Sequence, residues 1–167
     1  VTVNTAALPE PITPGVDNKK PASKPEVKLP FTDVSTSDWF YDDVAFVYKN
    51  GLFSGTDSRS FSPNASMTRA MLVTVLYRLE GEPTVTGRSS FTDVRSGAYY
   101  EKAVIWAAAN GIVTGTDSTS FSPDAKVTRE QLAAILYRYA QYRKLDTDAS
   151  AKLNSFTDAD SVSAYAS

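Results

Sequence analysis

Apolar residues in this chain return at helical spacing in three stretches, within a plan of two matching helix pairs. Val44, Val47 and Tyr48 recur three and four apart, the period of one buried helix face. That pattern predicts a helix from about Trp39 to Asn50, capped by Asp38 and stopped by Gly51 in a left-handed conformation. Leu72, Val75, Leu76 and Leu79 predict a second helix, from about Arg69 to Glu80, opened by Thr68. Between the two, Gly55-Thr-Asp-Ser58 is turn chemistry and Phe61-Ser-Pro63 a short extended piece.

The plan then repeats. Residues 31–80 align without a gap on 91–140, an offset of 60, and 22 of the 50 positions are identical. The second helical pair ends its first helix at Asn110 and Gly111. Its second helix starts at Thr128, with Leu132, Ile135, Leu136 and Tyr139 as the apolar face. Thr128 and Gln131 can form a reciprocal capping box; Met71 leaves the first copy only half of it. Phe31-Thr-Asp-Val34 returns as Phe91-Thr-Asp-Val94 and again as Phe156-Thr-Asp-Ala159. A repeat of this length sets the fold. The expected fold class is all-α, made of tandem helix-loop-helix units with short extended segments at most. Expected boundaries are a linker over 1–30, units over 31–86 and 87–147, and the shortened start of a third over 148–167.

Residues 1–30 hold six of the nine prolines and no aromatic residue. Such a segment buries too little apolar surface to order itself, and reads as a disordered, extended spacer tethering the module to something upstream. The chain starts at Val1 and reads as a piece of a longer protein.

Composition removes several functions. There is no histidine and no cysteine, hence no Ser-His or Cys-His nucleophile pair and no thiolate metal site. Net charge is −2, so nucleic acid is not an expected partner. No apolar run reaches the ~18–20 residues of a membrane span. The only adjacent acid pair of interest, Asp42 and Asp43, does not recur in the second unit, so enzymatic activity is not expected. Asp57 and Asp117 supply one carboxylate per loop, too few for calcium. No metal and no cofactor is expected.

The ordered set Phe31-Thr-Asp-Val34, Trp39, Gly51-Leu-Phe-Ser-Gly55, Phe61-Ser-Pro63 and Thr68-Arg-Ala-Met71 resembles the S-layer homology module of bacterial cell-surface proteins. The second unit repeats it as Phe91-Thr-Asp-Val94, Tyr99, Gly111-Ile-Val-Thr-Gly115, Phe121-Ser-Pro123 and Thr128-Arg-Glu-Gln131. Ala70-Met71 and Glu130-Gln131 depart from that family's full Thr-Arg-Ala-Glu motif. The resemblance implies modules in threes, forming a pseudo-threefold helical assembly. It implies an extracellular role at the cell wall or S-layer, anchoring an upstream protein to a secondary cell-wall polysaccharide, often pyruvylated, with sites in grooves between modules. The alternative is a protein-interaction or self-assembly role, through helix faces left bare by the incomplete third repeat.

A pyruvylated sugar carries a carboxylate, which a planar guanidinium holds with two parallel N–H donors. Arg69 and Arg129 each sit in the first turn of a helix, beside backbone N–H groups that favour an anion. They are candidate ligand contacts; pairing with Asp33 or Asp93 is the structural alternative. Thr68 and Thr128 go with them. Trp39 and Tyr99 are candidates for stacking on a sugar face, or for packing. Gly55 and Gly115 allow tight turns or close approach of backbone to a ligand. Trp106 and the four phenylalanines Phe31, Phe61, Phe91 and Phe121 read as packing residues. Arg78 and Arg138 read as cations complementing a helix C-terminus.

Overall fold

The computed structural model describes residues 28–148, 153 and 156–166. Four helices carry the described residues: α1 (Tyr41–Lys49), α2 (Arg69–Leu79), α3 (Glu101–Ala109) and α4 (Arg129–Tyr142). A short 3-10 turn, Ala159–Ser161, follows. Among the described residues no strand forms, only an isolated antiparallel bridge between Thr68 and Lys126. The architecture is the all-α one that the periodicity predicts. The spacer expected over 1–30 lies outside the described residues except for its last three.

Helix ends follow local chemistry closely, with one exception. Thr68 accepts from the Met71 backbone N–H at 3.2 Å. Thr128 and Gln131 exchange both bonds of the capping box. At the other end of α3 the Ile112 N–H reaches back to Ala107 O and the Gly111 N–H to Ala108 O. That pair of bonds requires the positive φ of +68° found at Gly111; α1 ends the same way at Gly51. The exception is Asp38, which does not cap α1. The helix starts later than expected, after Phe40, and Phe40 makes no side-chain cap bond. Asp38 instead accepts from the Ser35 N–H at 2.8 Å and closes the turn before the helix, the local competition that short acidic side chains offer.

The predicted apolar stripes are only part of the core. Leu72 and Leu76 of α2 are buried, but so are Ala70, Val73, Thr74 and Tyr77 on another side, while Leu79 is exposed. α2 is covered twice because it packs directly against α3 of the next unit. Tyr77 meets Trp106 there, with ring centroids 5.7 Å apart. Trp106 is only 3% exposed and also makes an edge contact with Tyr142. The main core therefore runs across the boundary between units, joining α2, α3 and α4. A smaller cluster of Phe31, Val34 and Val44 sits under α1.

α4 shows the same double face with one side bare. Ala134, Ile135 and Tyr139 are buried, whereas Leu132, Leu136 and Tyr137 are partly exposed. Tyr137 occupies the repeat position of Tyr77, yet is 52% exposed against 6% for Tyr77. The stripe read over Leu132 and Leu136 thus faces no neighbouring helix among the described residues. At the other end of the chain, Phe46 takes the place of Trp106 and is exposed too.

Candidate functional site

Each loop is built by one carboxylate. Asp93 accepts from the backbone N–H groups of Phe121 and Ser122, at 2.9 and 2.7 Å. Asp33 does the same with Phe61 and Ser62, at 2.9 and 2.8 Å. Those bonds pull the Asp33 carboxyl below its usual pKa. They also hold Ser62 and Ser122 at φ near +59° and +58°, a region that ordinary residues avoid. Among the described residues neither aspartate makes a close ion pair with an arginine, the alternative weighed from sequence; Asp93 acts on Arg69 only through its charge. Asp57 and Asp117 accept from their own loop amides as well.

Gly115 lies under this loop. A Cβ there would meet Asp117 O at 2.3 Å, Ser120 O at 2.6 Å and the Phe91 ring at 2.8 Å. Gly55 is packed in the same way against Phe31. The close approach is to the chain's own loop and phenylalanine.

Arg69 is 5% exposed. Its Nε–H donates to Phe121 O at 2.8 Å and its terminal N–H to Thr114 O at 2.9 Å. The guanidinium lies 4.7 Å from the centre of the Phe121 ring, a favourable placement for a cation. Burial pushes its pKa down, opposed by Tyr165 and Asp93; an arginine keeps its charge regardless. The backbone N–H groups of Arg69 and Ala70 are not free for an anion: they donate to Ala125 O and Pro123 O of the next unit. The N-terminus of α2 therefore does not hold an anion through these two amides, the role expected from sequence, because they join the units.

Two grooves of one design result. The first, about 380 Å³, is lined by Arg69 from unit one, the Val113–Thr116 loop and α4 side chains including Gln131 and Arg138, and by Tyr165. The second, about 560 Å³, is lined by the Leu52–Thr56 loop, α2 side chains including Met71 and Arg78, and Tyr99 of the next unit. Each groove combines a loop and a second helix from one unit with an aromatic residue from the following one. Tyr165 is set in place by donating to Glu130 Oε1 at 2.8 Å, while the Ser163 N–H donates to Glu130 Oε2.

The structure therefore brings Arg69 together with Gly115, and Gly55 together with Tyr99. Trp39, 89% exposed, lines neither groove. Thr68 and Thr128 act as helix caps. Arg129 is exposed and lines neither groove. Arg78 and Arg138, read from sequence as dipole partners only, line the grooves, and Arg78 donates to Leu52 O at 3.0 Å. Their recurrence at the same offset as Arg69 and Arg129 is visible in the sequence, where it reads as structural; it is the signal that could have found them. Tyr165 and Gln131 carried no such signal.

The S-layer homology domain model matches residues 30–70 and 90–133. The chain is 31% identical over 138 residues to an endoglucanase of Bacillus sp. (strain KSM-635), covering 83% of this chain and 14% of that protein. It is 32% identical over 115 residues to the surface-layer 125 kDa protein of Lysinibacillus sphaericus, covering 65% of this chain and 10% of that protein. A cellulosome-anchoring protein of Acetivibrio thermocellus matches at 26% over 115 residues, covering 66% of this chain and 26% of that protein. The chain thus spans about a quarter or less of each of these relatives. With its two matched repeats, their shared loops and capped helices, this chain belongs to the S-layer homology domain family.

Proposed function

We propose that this chain is a non-catalytic anchoring module, which holds a larger bacterial protein at the cell surface by binding an acidic cell-wall polysaccharide, in the sharpest form a pyruvylated one. One observation carries the reading. The groove over α4 is lined by two guanidinium side chains, Arg69 and Arg138, with an aromatic residue and loop backbone beside them and no carboxylate among its lining residues. Such a site offers charge for an acid, a ring for a sugar face and backbone groups for hydroxyls. The relatives add support. An endoglucanase, a surface-layer protein and a cellulosome-anchoring protein share this segment, and it covers a small part of each. A part common to proteins of such different names fits placement better than catalysis.

Co-sedimentation with purified bacterial walls tests this, before and after chemical removal of the attached polysaccharide. Binding should be lost on stripping. Equal binding to stripped walls would overturn the reading.

A second reading is self-association, favoured by the bare faces of α4 and α1. The α4 face around Tyr137 of one copy would receive α1 of another, with Phe46 in the place that Trp106 takes on α2. Tyr137→Glu and Phe46→Glu should each abolish an oligomer seen in analytical ultracentrifugation. Their mixture should restore a dimer that cannot extend.

A further inference from the structure

The two arginines of the α4 groove are not equivalent. Arg69 is almost fully buried, and it spends donors on Phe121 O and Thr114 O while stacking on Phe121. Its geometry joins unit one to the loop of unit two. Arg138 is half-buried, lines the same groove and makes no hydrogen bond or ion pair among the described residues. Its repeat counterpart Arg78 is engaged: it donates to Leu52 O at 3.0 Å and lies 3.9 Å from Glu82. Position 142, the counterpart of Glu82, is a tyrosine. A planar guanidinium with uncommitted donors in a groove without carboxylates is the arrangement that recognises a carboxylate through two parallel bonds.

We propose that Arg138 is the residue that confers preference for an acidic sugar in the α4 groove. Arg69 is then a positioning residue, which holds the loop and the ring of Phe121 in place. The α2 groove, with Arg78 tied to a carbonyl and a glutamate and with Met71 in place of Gln131, does not distinguish an acid from its neutral ester. This rests on the polysaccharide-binding reading above and names the side chain that reads the acid.

Calorimetric titration of the whole chain tests it with two probes, a hexose carrying a pyruvate ketal and the methyl ester of that ketal. The unaltered chain should prefer the acid by about tenfold, the scale of one charge-assisted contact. Arg138→Gln should reduce that preference to about twofold or less, with affinity for the acid falling more than affinity for the ester and the thermal midpoint unchanged. Arg138→Lys should keep part of it, and Arg78→Gln all of it. Arg69→Lys should lower the thermal midpoint, the signature of a structural tie. If Arg138→Gln keeps the full preference, this assignment is wrong while the anchoring reading stands. If the unaltered chain shows no preference for the acid, both the assignment and the acidic-polysaccharide reading fall.

Discussion

Asp93 stabilises its loop through two charge-assisted bonds, to the amides of Phe121 and Ser122. Truncating it orphans both N–H groups beside a buried phenylalanine. A donor that loses its partner costs about 1–3 kcal/mol when buried and less when water reaches it, and both amides are only part-buried, so Asp93→Ala should lower unfolding stability by about 2 kcal/mol. Urea denaturation would show this as a lower midpoint at unchanged slope. A second titratable tie joins the units: Tyr139 donates to Glu80, and Arg143 donates to the same oxygen. Burial, then the bond to Glu80, pushes the Tyr139 hydroxyl from 10.0 up to about 12. The folded value exceeds the unfolded one, so folding favours the neutral hydroxyl. This contribution is whole below the unfolded value and is lost as pH rises through the folded one, between about 10 and about 12. Denaturation at stepped alkaline pH should show stability falling across that window, and Tyr139→Phe should flatten the fall.

At the scale of elements, the chain is most legible where structure is local. The Thr68 and Thr128 caps and the Gly51 and Gly111 stops depend on residues within one turn of each other, and sequence spacing reads them directly; the Phe-Ser-Pro pieces, expected to be extended, instead turn through a left-handed serine held by Asp33 or Asp93 from 28–29 residues away. Asp38 was misread because a second local bond, to Ser35, competes with the cap. α4 ends with the same back-bonds as α3, Leu145 N–H to Ala140 O and Lys144 N–H to Gln141 O. Yet the left-handed position is Lys144, at φ 55°. A side chain there carries a steric penalty that glycine lacks. Lys144→Gly should therefore stabilise the chain by about 0.5–1 kcal/mol after the added entropy of the unfolded chain is subtracted. A rise in the thermal midpoint would confirm it, and a fall would show that Lys144 packs better than its geometry suggests.

The grooves were not legible in the same way, because each draws residues from units far apart in sequence. Arg69 reaches Thr114 and Phe121 across the unit boundary, and Tyr165 closes the groove from beyond α4. The repeat in sequence is thus not the unit of packing. α2 packs on α3, and Trp106 of unit two sits against Tyr77 of unit one. Two units with a shared core should unfold as one. In a Trp39→Phe background, Trp106 fluorescence reports the shared core while helical circular dichroism reports all four helices. The two signals should coincide through a urea transition. Tyr77→Ala removes the ring that covers Trp106 and opens a cavity, a change in the class that costs about 3–5 kcal/mol. Both probes should move together to lower urea, including the signal from α1, which touches neither residue. A helical signal that stays put while Trp106 becomes exposed would show instead that each sequence repeat folds alone, and that the grooves form only by docking of finished units.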